Sequence, residues 1–224
     1  MMNEPRFVLA SQSPRRRALL GMLGYPFDVV VSGADEDAHL EAGPATYVLR
    51  TAQAKAEAVA HVLAGTRPNA LIIAADTTVA QDGEIMAKPV DAADARRMLL
   101  ALRGRTHDVH TAICVIDCSG GREMSAVHSA AVTMRDYSRA EIEAYIATGD
   151  PLDKAGAYAI QHPVFQPVAR LDGCYLAIVG LSLCGLSLML HDLGLPSRAD
   201  LPAIRALHQG IPCPLIDQAQ QQYR

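Results

Sequence analysis

The feature that most constrains the fold of this chain is a short run, Ala70–Ala75, in which every residue is apolar. Because successive side chains of a β-strand point to opposite faces of a sheet, such a run predicts a strand covered on both faces. Strands of this kind are typical of α/β sheets, which bind ligands at the carboxyl ends of their strands. Asp76 follows the run directly and is a candidate site residue; the alternative is an aspartate that only hydrogen-bonds its own loop.

The N-terminal part of the chain predicts a strand, a tight loop and a helix. The apolar stretch Phe7–Ala10 is followed by Ser13, a favourable N-cap residue, and by Pro14, which suits the first helical position. The helix ends at Gly24. Its N-terminus presents free backbone amides and the positive end of the helix dipole, and both favour an anion.

Polar and basic side chains cluster at this helix start, namely Ser11, Ser13 and the consecutive arginines Arg15–Arg17. Basic residues in a first helical turn oppose the dipole, so a run of them indicates an anion nearby. The stretch therefore predicts a phosphate-binding cradle built from serine and arginine. A capped helix with a solvated basic surface is the alternative.

A lysine interrupts the apolar face of a second predicted helix, at residues 45–64. The buried face of this helix is formed by Val48, Ala52, Val59 and Val62. Lys55 falls on the same face, where a lysine is unfavourable unless its ammonium group extends to water or meets an anion. The sequence leaves both explanations open.

Periodicity and turn residues predict the remaining elements. They are strands at 25–31, 107–117, 124–135, 164–171 and 175–179, a stretch at 150–161 that is irregular at first and then strand-like, and helices at 91–102, 138–147 and 183–193. No linker divides the chain, so we expect an α/β fold, a single mixed α/β domain with a cleft, over residues 1–195. Residues 196–224 are expected to form a C-terminal extension with a short helix at 203–208 and a loose tail.

Composition narrows the classes of function. A net charge of −4 and the lack of a long uninterrupted apolar segment give no indication of a nucleic acid polymer or a membrane as partner. The five cysteines lack paired metal-ligand spacing and lie mostly in apolar surroundings, so we expect buried reduced thiols in a cytoplasmic protein. The histidines lack paired metal spacing as well, and a structural role is expected for His107 and His110.

The candidate site residues fall into three chemical classes. Carboxylates come from Glu36 and Asp76, cations from Arg15, Arg16, Lys55 and Lys88, and hydroxyls from Ser11, Ser13, Thr77 and Thr78. Phosphoryl and nucleotidyl chemistry needs this mixture, because cations hold phosphate oxygens and neutralise charge in the transition state. A pair of carboxylates can hold a hard cation such as Mg²⁺, and one of them can orient the attacking water. The sequence contains no nucleophile-elbow, dinucleotide-binding or Walker lysine motif.

Several short motifs, in this order, resemble those of the Maf proteins, a family of nucleoside triphosphate pyrophosphatases. They are Leu9–Arg16, Ala74–Thr77, Lys88-Pro89, Arg105–His107 and Asp153–Gln161. The likeness extends over residues 7–193. Motifs that occur together in a fixed order are far more specific than any one of them.

The resemblance implies an elongated central sheet with a cleft, often in a homodimer. It implies cleavage of a nucleoside triphosphate substrate between the α and β phosphates, with a divalent cation, Mg²⁺ or Mn²⁺, as cofactor. Asp76 would accept the proton of the attacking water, and Glu36 and Asp76 would hold the metal. The substrate-binding residues would be Ser11, Arg15, Arg16, Lys55, Thr77, Lys88 and Gln161.

The form of the stretch Asp153–Gln161 is similar to that of the branch that acts on dTTP and UTP, which implies a housecleaning role in the nucleotide pool. Arg15, Thr77 and Gln161 match the positions that the family uses for substrate choice. Two alternatives stay open: 7-methyl-GTP or another modified nucleotide as substrate, or a nucleotide-binding regulator of cell division without turnover.

Overall fold

The computed structural model describes residues 5–34, 43–195 and 198–223. Its strands are β1 (Arg6–Leu9), β2 (Phe27–Val29), β3 (Ala70–Gln81), β4 (Glu84–Met86), β5 (Thr106–Asp117), β6 (Arg122–Met134) and β7 (Val168–Asp172). Its α-helices are α1 (Pro14–Gly21), α2 (Pro44–Leu63), α3 (Ala92–Leu102), α4 (Arg139–Ile146), α5 (Tyr175–Val179), α6 (Leu183–Asp192), α7 (Leu201–Ala206) and α8 (Pro214–Gln222). Two 3₁₀ turns lie at Asp150–Asp153 and Ala155–Ala157.

The strands of the described residues form one mixed sheet in the order β2-β1-β3-β5-β6-β7, and β4 pairs with β3 outside this path. β1 runs parallel to β2 and β3, whereas β4, β5, β6 and β7 pair antiparallel. A turn at residues 118–121 joins β5 and β6. The predicted class, a single mixed α/β domain, is confirmed.

Strand β3 has a gap in one of its two edges. On that edge it pairs with β1 from Ala70 to Ile73 and with β4 from Val79 to Gln81. The opposite edge pairs continuously with β5 from Leu71 to Ala80. Residues 74–78 therefore have a strand beside them on the β5 side only, which leaves an opening in the middle of the sheet.

The apolar run is a strand buried on both faces, as predicted, but Asp76 does not follow it. β3 continues through Asp76 to Gln81, because the pairing with β5 satisfies its backbone along this whole length. The prediction that the strand closes at Asp76 is therefore wrong. Since the parallel strand β1 has already ended at Leu9, Asp76 still lies beyond the carboxyl end of a neighbouring strand.

Helices cover both faces of the sheet. α2 packs on the face that carries Ile72 and Ala74. α1, α5 and α6 pack on the opposite face, which carries Leu71 and Ile73, and α3 and α4 pack around Val79 at the far end. No helix in the described ranges combines the length and the apolar character needed to cross a membrane.

The segment 198–223 is more regular than the sequence predicted. α7 begins two residues before the expected position, and α8 occupies the stretch expected to be a loose tail, so that prediction is wrong. Ile204 and Ile216 are each 1 % exposed and share the hydrophobic cluster of α1, α5 and α6. The extension is thus packed on the domain through its own apolar residues.

Other differences concern short apolar stretches. The segment Tyr175–Val179, predicted as a strand, is the helix α5, and no strand forms in the stretch 150–161, whose later part was predicted to be strand-like. β7 begins later than expected, at Val168. A run of five apolar residues fits a strand and a buried helix equally well, so periodicity cannot separate them. In α2 the buried residue of the last turn is Leu63, because Val62 points outward and is 65 % exposed.

Candidate active site

A cleft of about 870 Å³ opens at the gap in β3. Its walls come from the loop before α1, the middle of β3, the segment after β4 and the 3₁₀ turns. Ten of the predicted site residues line it, namely Ser11, Ser13, Arg15, Arg16, Lys55, Asp76, Thr77, Thr78, Lys88 and Gln161. The predicted metal ligand Glu36 lies outside the described residues. The motifs therefore converge on one cavity, and the roles of their residues stay predictions.

A buried ion pair lies on the α2 side of the cleft. Lys55 Nζ is 2.7 Å from Asp76 Oδ1, and the two side chains are only 7 % and 10 % exposed. α2 brings the ammonium group here because Lys55 lies one turn from Ala52 and Val59 on the face packed against β3. Burial makes an unpaired ammonium unfavourable, so the anion, rather than an extension to water, explains this lysine.

Arg16 is anchored on the other face of β3. Its Nε donates to Gly180 O at 2.9 Å, its Nη2 to Thr77 Oγ1 at 3.3 Å and its Nη1 to Ser11 Oγ at 3.4 Å. Ser13 caps α1 as predicted, with its Oγ accepting a hydrogen bond from Arg16 N at 3.4 Å. Arg17 is exposed and does not line the cleft.

A chain of hydroxyls fixes the orientation of Thr77. Thr111, opposite Thr77 in the register of β3 and β5, donates from Oγ1 to Ala177 O at 2.7 Å. Its hydrogen is therefore engaged, and the 2.9 Å contact between the two hydroxyls has Thr77 as the donor. Sequence reasoning missed Thr111, because a threonine in the middle of an apolar strand gives no signal until its partner across the sheet is known.

Lys154 is a further cleft residue that sequence reasoning missed. It is 9 % exposed, and its Nζ donates to Asp150 Oδ1 at 2.9 Å and to Asp153 Oδ1 at 2.5 Å. Asp153 also lies 3.7 Å from Arg15 Nη1. Gly156 closes the turn with φ +67°, and a Cβ there would lie 2.9 Å from Val79. The signal was present, since Lys154 stands inside the motif Asp153–Gln161.

The predicted substrate-choice residue Gln161 and the predicted phosphate-binding residue Lys88 both lie exposed on the cleft walls. Burial raises the pKa of the Tyr175 hydroxyl, and hydrogen bonds with Gln161 and Gln209 partly oppose that effect. The side chains of Gln161 and Lys88 are placed where a ligand in the cleft can reach them.

His107 has the structural role that was expected. It is 3 % exposed, and its Nε2 lies 2.8 Å from the hydroxyl of Tyr158, a residue of the cleft wall. Burial lowers the pKa of His107 to about 4, so the imidazole is neutral near pH 7. His110, on the same strand, bonds Ser129 Oγ through Nδ1 at 2.7 Å. Neither histidine lines the cleft.

Asp76 presents the kind of atom that a hard cation requires. Its Oδ1 contacts Lys55, whereas Oδ2 has no hydrogen-bond partner among the described residues, on a side chain that lines the cleft. Mg²⁺ is typically held by one or two carboxylates, with water and substrate phosphates as the other ligands. A carboxylate oxygen in a cleft that is also lined by arginine and lysine side chains fits such an ion.

Comparison with known proteins gives a consistent result. The family model of the Maf-like proteins matches residues 6–193. A dTTP/UTP pyrophosphatase of Burkholderia thailandensis is 48 % identical over 186 residues, which is 80 % of this chain and 89 % of the relative.

Two further relatives with the same name come from distant bacteria. The Salinibacter ruber protein is 47 % identical over 79 % of this chain and 85 % of its own length. The Anaeromyxobacter dehalogenans protein is 45 % identical over 88 % of this chain and 99 % of its own length. Identity at this level over nearly whole proteins, together with the family match over the sheet and its cleft, establishes that this chain belongs to the Maf family.

Proposed function

We propose that this chain is a nucleoside triphosphate pyrophosphatase, which hydrolyses dTTP and UTP to the monophosphate and pyrophosphate. The observation that carries the proposal is the convergence of the Lys55–Asp76 pair and three further cations, Arg15, Arg16 and Lys88, on one cleft of a Maf-family chain. The names of the relatives support dTTP and UTP as substrates. The role would be the removal of surplus nucleotides from the cytoplasmic pool, by a monomer or a homodimer.

The cations suit a triphosphate because of how they are held. The guanidinium of Arg16 is fixed by Gly180 O and Thr77 before any ligand arrives, so little reorganisation is needed to contact a phosphate. Arg15 and Lys88 occupy other parts of the same cleft. Charge that develops on the phosphate oxygens during the reaction would therefore meet several fixed or nearby cations.

In the proposed reaction, Asp76 accepts at Oδ2 a proton from water while the water oxygen bonds to the α-phosphorus. The bond from the α-phosphorus to the bridging oxygen breaks, and pyrophosphate leaves with the electron pair. Lys55 holds Asp76 in place through Oδ1. A divalent cation held by Asp76 and Glu36 would supply further charge neutralisation at the phosphates.

Base preference is the finer part of the proposal. The Gln161 side chain offers an amide donor and an amide acceptor, which complement the alternating carbonyl and N–H groups that thymine and uracil share. Thr77 already accepts from Arg16 and donates to Thr111, so its hydroxyl has a fixed orientation. Arg15 also lines the cleft, with its Nη1 3.7 Å from Asp153 Oδ2.

A panel of nucleoside triphosphates tests the proposal. The panel contains dTTP, UTP, CTP, ATP, GTP and 7-methyl-GTP with Mg²⁺ or Mn²⁺, and chromatography measures the monophosphate and pyrophosphate formed. We expect turnover of dTTP and UTP above the others. Preferred turnover of 7-methyl-GTP would show that a modified purine nucleotide is the substrate instead of dTTP and UTP. Binding of nucleotides without turnover would favour a regulatory protein.

A further inference from the structure

A second polar cluster lies away from the cleft, between α5, α6 and the C-terminal helices. It contains Cys174, Cys184, His208 and Cys213, and the ligand atoms of these four side chains all lie within 4.8 Å of one another. All four residues are buried. None of them lines the cleft or has a part in the proposed reaction. We refer to these four residues as the thiol–imidazole cluster.

The separations in the thiol–imidazole cluster match those of ligands that share one ion. His208 Nε2 lies 3.5 Å from Cys184 Sγ and 3.7 Å from Cys174 Sγ. In a tetrahedral site with Zn–S bonds of about 2.3 Å and Zn–N bonds of about 2.0 Å, sulfur and nitrogen ligands lie about 3.5 Å apart. The two separations from His208 Nε2 therefore suit a zinc ion shared with Cys174 and Cys184.

The His208 ring is already oriented as a ligand. Its Nδ1 lies 3.0 Å from the carbonyl oxygen of Ile204, one helical turn earlier. Because a carbonyl can only accept, Nδ1 carries the hydrogen and the lone pair is on Nε2, the atom that faces the sulfurs. Metal-binding histidines are commonly held through a backbone carbonyl in this way.

The three thiols are held at the starts of three different helices. Cys174 immediately precedes α5, Cys184 is the second residue of α6, and Cys213 immediately precedes α8. Ser182 Oγ contacts Cys174 Sγ at 3.3 Å and also caps α6 by accepting from Gly185 N at 3.1 Å. The sulfur positions therefore depend on backbone structure, which makes the set rigid.

Buried reduced thiols, the expectation from the sequence, explain the burial but not the convergence. A buried thiol is stable among apolar side chains and needs no partner. All five cysteines are free thiols, so no disulfide brings these three together. Three thiols and an imidazole nitrogen are a ligand set of structural zinc sites, whereas Mg²⁺ and Ca²⁺ prefer oxygen.

We propose that Cys174, Cys184, His208 and Cys213 bind one Zn²⁺ ion in a closed tetrahedral site. Four protein ligands leave no position for water or substrate, so the ion is structural. Each thiol releases its proton to solvent when it binds the metal. Two ligands lie within residues 6–193, the part matched by the family model, and two lie beyond it. The metal therefore joins the C-terminal extension to the Maf domain.

Metal analysis of the full-length chain, purified without added metal or chelator, tests the proposal. We expect about one zinc per chain for the wild type and a loss of about tenfold for Cys213→Ser and His208→Ala. Cys118→Ser is the matched control, since Cys118 is a free thiol outside the thiol–imidazole cluster, and it should retain its zinc.

A second measurement uses the wild-type chain alone and does not depend on a variant that folds. Co²⁺ exchanged into the zinc-stripped protein should give the intense thiolate-to-cobalt charge-transfer absorption and the visible bands of a tetrahedral site. Pyrophosphatase assays on the same samples are a separate readout, because the zinc proposal does not rest on the proposed function.

Three results would overturn the zinc assignment. One is a wild-type chain that is isolated without zinc and gives only the weak spectrum of octahedral cobalt. Another is a disulfide between any two of Cys174, Cys184 and Cys213, detected by mass spectrometry of the unreduced protein. The third is full zinc content in both Cys213→Ser and His208→Ala.

Discussion

The cleft and the thiol–imidazole cluster both place polar groups among apolar side chains, but they leave different atoms available. In the cleft, Asp76 Oδ2 has no hydrogen-bond partner in the described part of the chain, and the residue lines a cavity of about 870 Å³. In the thiol–imidazole cluster, every potential ligand is buried and faces the others. An open polar group can act on a ligand, whereas a closed set can only hold the protein together. The first arrangement suits the proposed reaction, and the second suits the proposed structural metal site.

The two regions also differ in how the chain builds them. The cleft residues come in short motifs such as Leu9–Arg16 and Ala74–Thr77, each on or next to one strand. The ligands of the thiol–imidazole cluster are separated by 9, 23 and 4 residues and come from helices that pack only in the folded chain. Local sequence therefore reveals the first region and conceals the second.

The largest effect should follow the replacement of the Asp76 carboxylate by an amide. We expect Asp76→Asn to lower kcat by about a thousandfold, because the amide cannot accept the proton from water. Release of pyrophosphate from dTTP measures this loss. Asp28→Asn is the control, since Asp28 pairs with Arg67 away from the cleft and should keep full activity. An unchanged kcat in Asp76→Asn would mean that the unpaired carboxylate oxygen in the cleft has no part in the reaction.

The Lys55–Asp76 pair allows a test of whether the open region also contributes to stability. Lys55→Met leaves a buried carboxylate without its cation, and we expect a loss of about 3 kcal/mol in the free energy of unfolding. Adding Asp76→Asn removes the stranded charge, so the double variant should be more stable than Lys55→Met alone. Urea denaturation of the two single variants and the double variant measures the three changes relative to the wild type. Additive losses would show that the two groups do not interact.

His107 is a buried polar residue that belongs neither to the cleft nor to the thiol–imidazole cluster. Burial lowers its pKa to about 4, so between pH 6.5 and 4 the unfolded chain binds a proton that the folded chain does not. Protonation then favours unfolding, and stability falls as the pH falls through this window, by about 3 kcal/mol for this residue.

Replacement of His107 removes that dependence. In His107→Asn, the free energy of unfolding should fall less between pH 6.5 and 4 than in the wild type. His61→Asn, at an exposed helix position, should follow the wild-type curve. Urea denaturation at several pH values gives both curves. Identical slopes for His107→Asn and the wild type would contradict the assignment of this loss to His107.

The smallest effect concerns two adjacent arginines. Arg15 lines the cleft, whereas Arg17 is exposed and does not line it. We expect Arg15→Ala to raise the KM for dTTP about tenfold through the loss of a phosphate contact, and Arg17→Ala to leave it unchanged. Steady-state kinetics of the two variants decide the point. Equal increases would mean that the start of α1 is only a basic surface.

Much of the fold followed from patterns that span a whole element. The run Ala70–Ala75 predicted a strand buried on both faces, and the spacing in α2 predicted its buried side and the odd position of Lys55. The partner of Lys55 could not be predicted, because it lies on β3 and the contact depends on how α2 packs across the sheet. Asp76 was identified as a site residue but placed at the end of its strand instead of inside it.

The errors have a common physical origin. Tyr175–Val179 is apolar throughout, and only its burial between the sheet and α6 makes it helical. The tail residues around Ile216 are polar enough to suggest disorder, yet they form α8 because Ile216 and Ala219 pack on α6. In both segments tertiary packing decides over local preference, as is usual for short elements.

Helix α5 has a mechanical consequence for the whole molecule. Cys174 precedes this helix, Gly180 follows it, and the carbonyl groups of Ala177 and Gly180 accept from Thr111 and Arg16. The five residues of α5 therefore link Cys174, which belongs to the thiol–imidazole cluster, to Gly180, which lines the cleft. A truncation at residue 193, where the family match ends, would remove His208 and Cys213 and leave α5 held only on its cleft side. The C-terminal segment in this way supports the part of the molecule that contains the cleft, although none of its described residues lines the cleft.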